Sequence, residues 1–410
     1  ARGLRILAVA RARFSGDEPP PRPQAFEFEF VGLLGLEDPL RATVPGSISD
    51  CQRAGIRVIM LTGDHAETAR NVAGRAGLRH ADRVITGPEL DQMNDLELRD
   101  RIRSTGVFAR VVPQHKLRII HALRADGETV AMTGDGVNDA PALKWADVGI
   151  SMGKRGTDVA REASDLVLLD DDFSSIVSAI RVGRRIFANI TQAMTYIFAV
   201  HVPIAGLAIL PALLKLPLIL LPAHIVFMEL IIDPASTLVF EAEAEEPDLM
   251  HRPPRGARGS PFGWRRIVRS MFQGAVVLVG CVGALLASRA VGQPEAAVRS
   301  VTFASLILGN LALILANRVG RSAGERGTSD AAVDRRRRNP VLPWVLVGAL
   351  SLLACVQIFP YLREVFKVSV LGLVGWAASL GVAALSWLGA LAIRRSVPSV
   401  SVTEAGATAP

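Results

Sequence analysis

The second half of this chain is a series of long apolar segments separated by short charged loops, and no water-soluble fold can bury them all. From about residue 190 the segments are Ile190–Leu210, Pro217–Thr237, Met271–Ala287, Ser300–Ala316, Pro343–Pro360 and Val368–Ile393. Most approach the ~20 apolar residues that cross a bilayer, and the last is long enough to tilt. Six spans are therefore expected, forming an all-α bundle. The loops differ in charge. Arg181, Arg184 and Arg185 precede the first segment, Arg252, Arg255, Arg258, Arg265 and Arg266 follow the second, Arg335 to Arg338 follow the fourth, and Arg394 and Arg395 follow the sixth. The intervening loops carry only scattered charges such as Lys215, Arg289 and Lys367. By the positive-inside rule, the region before the first span and the C-terminus face the cytoplasm. Loops this compact suit a bacterial plasma membrane. The net charge of +7 is thereby accounted for as topological anchoring, and nucleic acid is not an expected partner. Cys51, Cys281 and Cys355 lack paired spacing and read as buried hydrophobes rather than disulfides or metal ligands.

Before the spans, short apolar runs alternate with amphipathic stretches. Strands are expected at Phe28–Leu34, Arg57–Leu61, Val107–Ala109, Thr129–Met132, Val148–Ser151 and Leu166–Leu169. Helices are expected at Glu67–Ala76, Pro88–Arg103, Gln114–Ala125, Ala140–Lys144 and Thr157–Ala163. This alternation predicts an α/β domain with a doubly wound parallel sheet, whose ligands bind at the carboxyl ends of the strands. Thr62-Gly63-Asp64 and Thr133-Gly134-Asp135 both fall at such ends, so the two plausible turn motifs are expected to face one site.

Met132-Thr133-Gly134-Asp135-Gly136-Val137-Asn138-Asp139-Ala140-Pro141-Ala142-Leu143 carries the richest chemistry. Its glycines permit a tight turn, and Asp135 and Asp139 offer the hard oxygens that Mg²⁺ prefers. Asn138 can orient a phosphoryl oxygen or a coordinated water. Lys116 can place a point charge on a transferring group, and Thr62 with the Gly63 amide can donate to its oxygens. Alone, Thr-Gly-Asp reads as an ordinary turn. With the Asp135 motif and Lys116, it reads as a phosphoryl-transfer centre.

In the apolar half, Glu229 and Asp233 lie four apart on one helix face, directly before Pro234, which frees backbone carbonyls. His201 and Pro203 sit in the first span. Two carboxylates with released carbonyls make an oxygen cage for a cation, while His201 reads equally as a ligand or as a satisfied core residue. Asn310 and Gln357 read as interhelical glue, and the acidic run Glu241 to Asp248 as a solvated loop.

These motifs resemble those of the P-type cation-transporting ATPases, of the class that includes calcium pumps. Leu36-Glu37-Asp38-Pro39-Leu40-Arg41 is similar to that family's Asp-Pro-Pro-Arg element, with Leu40 in place of the second proline. Arg57 to Asp64 resembles its Thr-Gly-Asp strand, Phe108 to Lys116 the segment of its essential lysine, and Met132 to Gly153 its hinge signature. The resemblance implies a haloacid-dehalogenase-type P domain over residues 24–180, preceded by the end of a nucleotide-binding domain at 1–23. It also implies the family's fifth to tenth membrane helices over 181–396, and a tail at 397–410. It implies Mg²⁺ and ATP as cofactors, with Asp38, Arg41 and Arg110 toward the nucleotide, and a transported cation, Ca²⁺ first among candidates, at Glu229, Asp233 and His201. Four positions depart from the calcium-pump pattern: His201 and Glu229 where asparagines are expected, Ile204 where an acid is expected and Ile232 where a threonine is expected. The family's Asp-Lys-Thr-Gly and Thr-Gly-Glu sequences do not occur. The nucleophile, nucleotide pocket and first four spans are therefore expected in a partner N-terminal half, and this chain alone is expected to be inactive. The rival readings are a proton or monovalent-cation pump, a non-enzymatic membrane module that keeps the Mg²⁺ fold, and a membrane-anchored phosphatase. The last would need Asp17 as nucleophile, in a proline-rich loop that suits it poorly.

Overall fold

The computed structural model describes residues 5–14, 22–36, 39–246, 248–254, 263–319 and 339–396. The chain divides into two compact units, Ala1–Arg181 with Met250–Arg258, and Val182–Leu249 with Gly259–Pro410. Asp38, Arg255, Arg258, Arg335 to Arg338 and the tail after Ser396 lie outside the described residues.

The first unit holds two three-stranded sheets, parallel throughout. In one, β3 (Met60–Leu61) and β4 (Val84–Thr86) flank β5 (Val107–Ala109). In the other, β7 (Val148–Met152) lies between β6 (Ala131–Gly134) and β8 (Leu166–Leu168). The strand expected at Phe28–Leu34 within the parallel sheet is instead β2 (Glu29–Leu36). It pairs antiparallel with β1 (Arg5–Arg11) in a ribbon of its own. Helices intervene as the alternating pattern requires: α1 (Val44–Arg53), α2 (Ala66–Ala76), α3 (Gly87–Gln92), α4 (Asp95–Ile102), α5 (Pro113–Ala125), α6 (Ala140–Trp145) and α7 (Asp158–Ala163). The periodicity over Pro88–Arg103 predicted one helix, but two form. Met93 is extended, and the Asn94 side chain accepts from the Glu97 amide at 2.9 Å, starting α4 afresh. Leu90, Leu98, Ile102, Phe108 and Ile119 close one core, and Ile120, Met132, Ala142, Leu143 and Ala160 another. Leu61 and Val130 pack against both.

The second unit is helical. α8 (Phe173–Leu213) runs 41 residues, with Pro203 and Pro211 inside it. Its early residues Ile176 and Val177 belong to cores of the first unit, and Tyr196, Ala199, Val200 and Leu207 to the core of the second. α9 (Pro222–Phe227), a π turn at Met228–Ile232 and α10 (Asp233–Glu241) together make one span. α11 (Trp264–Ala290), α12 (Glu295–Val319) and a final helix, Leu373–Ser396, follow. Five of these spans are long and apolar enough to cross a membrane. The fifth expected span differs: Leu342–Ile358 is 17 residues long and turns by 95° into Pro360–Phe366, so six are reached only if that bent pair counts as one. Pro360 ends the first helix of the pair, because it cannot continue the backbone ladder. The last expected segment also begins late, since Val368 to Gly372 precede the helix.

α12 is the centre of the bundle, 94% buried over its apolar window, against 22% for the final helix. Small residues let its neighbours approach. A Cβ on Gly309 would stand 2.8 Å from Val277 of α11, and between α11 and α8 one on Gly274 would meet the Ala199 carbonyl at 2.1 Å. The acidic run after α10 is not simply solvated. Glu243 is buried and ion-paired with Arg318, accepts from the Asn339 amide at 2.9 Å, and offers its own carbonyl to Asn189 at 3.1 Å. Burial of the charge is tolerable because Arg318 and Asn339 both donate to Oε1.

In the first unit, Asp126 ends α5 and binds Arg99 of α4 at 2.7 Å, with Arg103 at 3.3 Å. The Arg99 guanidinium holds this carboxyl below its ordinary range, overriding the opposing effect of burial, and Arg103 adds to it. A carboxylate with a depressed folded value stabilises the fold above its unfolded value, and that contribution disappears as pH falls through the lower folded value. Asp126→Asn is expected to lower the thermal midpoint at neutral pH, and its midpoint should converge with the wild-type curve as the pH drops through the carboxylate range. Two parallel curves would contradict this assignment.

Candidate functional site

The residues expected to handle phosphoryl groups lie on loops that leave β3, β5 and β6. Leu61 packs against the cluster that holds Met132, so Thr62-Gly63-Asp64 and Thr133-Gly134-Asp135 follow strands of two sheets that share a core. The main chain ties the first of these loops to the next strand. The Thr62 amide donates to Phe108, Val111 donates to the Thr62 carbonyl, and Arg110 donates to the Asp64 carbonyl at 3.0 Å. Arg110 makes this last bond from a left-handed conformation, φ +53°, a sparsely populated state for a residue with a side chain.

Lys116 stands in the first turn of α5. Pro113 opens that helix, and His115 locks it by accepting from the Val112 amide and meeting Asp91 at 2.8 Å. The Lys116 ammonium then reaches Asp139 Oδ1 at 2.5 Å. The other oxygen, Oδ2, accepts from the amides of Asp135 and Gly136 at 3.3 and 3.4 Å. Asp139 is thus buried with both oxygens engaged, rather than standing free as a second metal carboxylate. Asp135 is different. Its carboxylate is exposed and has no hydrogen bond or ion pair among the described residues, while its carbonyl is held by the Thr157 amide at 2.9 Å. Gly134 makes the turn possible, since a Cβ there would lie 2.5 Å from that of Asp139. The sequence shows that a glycine is present, but not this steric reason for it. The Lys116–Asp139 pair was likewise not foreseen.

Asn138, Asp64 and Arg110 are exposed beside these groups in the chain. Arg41 is engaged elsewhere: its guanidinium donates to the Asp171 carbonyl just past β8, where Thr43 also binds Asp172 at 3.0 Å. Asp38 lies outside the described residues.

Within the second unit, His201, Glu229 and Asp233 come together, their ligand atoms all within 4.8 Å of one another. His201 Nε2 is 3.5 Å from Glu229 Oε1. The backbone beneath the carboxylates is irregular. The Asp233 amide donates five residues back, to Met228, and Pro234 has no amide to give. The carbonyls of Glu229 and Leu230 therefore lose their regular four-residue donors. Asp233 is 7% exposed, and neither carboxylate oxygen has a hydrogen-bond partner among the described residues. Gln357 binds the Leu371 amide at 3.1 Å, consistent with a structural role. Asn310 is fully buried with its side-chain amide unpartnered among the described residues.

Comparison with known proteins agrees with both halves. Residues 8–147 match the haloacid dehalogenase-like hydrolase family, and residues 217–395 match the family described as cation transporting ATPase, C-terminus. The chain is 35% identical over 397 residues to a calcium-transporting ATPase of Bacillus subtilis, covering 94% of this chain and 43% of that protein. It is 43% identical over 260 residues to calcium-transporting ATPase 1 of Bacillus cereus, covering 63% of this chain and 29% of that protein. It is 35% identical over 377 residues to calcium-transporting ATPase 1 of Saccharomyces cerevisiae, covering 90% and 39%. The chain thus spans less than half the length of each of these relatives. With a hydrolase-type loop cluster, apolar helices that make it a multi-pass membrane protein, and these matches, the chain belongs to the P-type cation-transporting ATPases of the calcium-pump-like class.

Proposed function

We propose that this chain is the phosphoryl-transfer and cation-handling part of a longer ATP-driven pump that moves a divalent cation across a membrane. The observation that carries the reading is the presence in one chain of two separate charged constellations. One is the free Asp135 carboxylate beside the Lys116–Asp139 pair, and the other is the His201–Glu229–Asp233 cluster on apolar helices.

At the first site the unpartnered, exposed Asp135 suits a hard cation. Mg²⁺, when bound, supplies positive charge that offsets the phosphoryl oxygens. Asp139 fixes the Lys116 ammonium so that it arrives pre-positioned, and with Thr62 and the Gly63 amide it can bind phosphoryl oxygens. The Arg110 guanidinium is exposed and unpartnered among the described residues, which suits a nucleotide phosphate. Asp-Lys-Thr-Gly does not occur in these residues, so the phosphorylated carboxylate belongs to another part of the protein in this reading.

At the second site, charge at membrane depth costs about 2.5–3.5 kcal/mol per group on insertion scales, which supports a role beyond packing. α8 carries residues of both unit cores along one helix, which supports a connection between the two events. Clustered arginines support a cytoplasmic position for the first unit and the C-terminus, and the short loops suit a bacterial plasma membrane. Calcium is the ion named for the relatives and is the first to test.

In the full-length protein, Asp135→Asn is expected to cut phosphoenzyme formation by about 100-fold or more. Wild-type levels would remove Asp135 from the metal role. Gly134→Ala forces Asp139 off Lys116, and should lower phosphoryl transfer together with stability, by about 1–3 kcal/mol in chemical denaturation. An unchanged variant would mean that the turn relaxes freely. Asp233→Ala should abolish cation-stimulated ATP hydrolysis while leaving Mg²⁺ binding to the first unit intact. Stimulation that survives this change and Glu229→Ala would put the transport site elsewhere.

A further inference from the structure

Resting on the reading of His201, Glu229 and Asp233 as the transport site, we infer that its preferred substrate is a borderline divalent transition-metal cation of the Zn²⁺ type, rather than Ca²⁺. The imidazole carries the argument. His201 Nδ1 lies 2.8 Å from the Ile197 carbonyl, one turn back on α8. A carbonyl oxygen can only accept, so a proton sits on Nδ1, and in the neutral ring the Nε2 lone pair stands beside Glu229. Holding one ring nitrogen on a backbone carbonyl, so that the other can bind metal, is the usual support of a ligating histidine. Nε2 is 3.5 Å from Glu229 Oε1, close to the edge of about 3.3 Å expected for a tetrahedron with bonds near 2.0 Å. Asp233 supplies the independent sign that a ligand belongs here. It is over nine-tenths buried, with both oxygens lacking hydrogen-bond partners among the described residues, and its ligand atom lies within 4.8 Å of the other two.

The donor type then separates the candidate ions. Ca²⁺ takes six to eight oxygens, and imidazole is not among its preferred ligands. Beside its two carboxylates and the carbonyls released before Pro234, this cluster offers an imidazole nitrogen. Ile204 and Ile232, three residues after His201 and Glu229, are buried in the apolar core and add no oxygen. A nitrogen with carboxylates is a donor set that Zn²⁺ accepts.

The test uses the full-length protein reconstituted in liposomes, with ATP-dependent uptake of radioactive zinc and calcium measured at equal free concentration. Cobalt(II) absorption of the purified protein reports nitrogen–oxygen ligation independently of turnover. The expected result is zinc uptake exceeding calcium uptake about tenfold or more, with a tetrahedral cobalt spectrum. His201→Asn should lose both signals at least about tenfold while remaining monodisperse. Calcium uptake above zinc uptake in the wild type, unaffected by His201→Asn, would overturn the substrate class and leave the pump intact. ATP-driven proton movement without metal uptake would overturn it as well. Absence of any ATP-dependent cation movement would instead remove the pump reading on which the inference stands.

Discussion

A backbone group withdrawn from water must find a partner, and both candidate sites lie where the regular ladder of partners is interrupted. After β6 the strand stops, and the amides of Asp135 and Gly136 turn to Asp139, which thereby orients its second oxygen onto Lys116. In the second span the helix widens to a π turn before Pro234, and carbonyls lose their regular donors next to two carboxylates. The same requirement thus builds an anion-facing loop in one unit and a cation-facing cluster in the other. In each case the side chain that repairs or exploits the gap is a carboxylate.

Local chemistry was legible in the sequence wherever a motif combined rare residues at short range. The Asp135 turn, Lys116 and the Glu229–Asp233 pair could be read because glycine, proline and charge in those settings have few other uses. Contacts remote in sequence could not be read. The junction of Lys116 with Asp139 depends on how α5 packs against β6, and the Glu243–Arg318 pair joins groups 75 positions apart. Strand β4 and helix α1 were also missed. β4 is three residues long, with a pattern too short to show periodicity, and α1 begins at Val44-Pro45 without a capping side chain. The single helix expected over Pro88–Arg103 failed because Asn94 makes a better start than an interior position.

Among the apolar helices, composition found the spans but not their roles. α12 is distinguished by small and polar residues, Ser300, Thr302, Ser305 and Gly309, which a hydropathy reading treats as weaknesses in a span. They are what permits it to be surrounded. By contrast, the helices bearing His201 and Glu229 leave those side chains partly accessible, and in the proposed reading their polar character serves a cation.

Glu243 has one more consequence. Arg318, at the end of α12, and Asn339, which accepts from the amides that open the helix at Leu342, both bind this carboxylate. Neutralising that single charge would therefore release the ends of two helices at once.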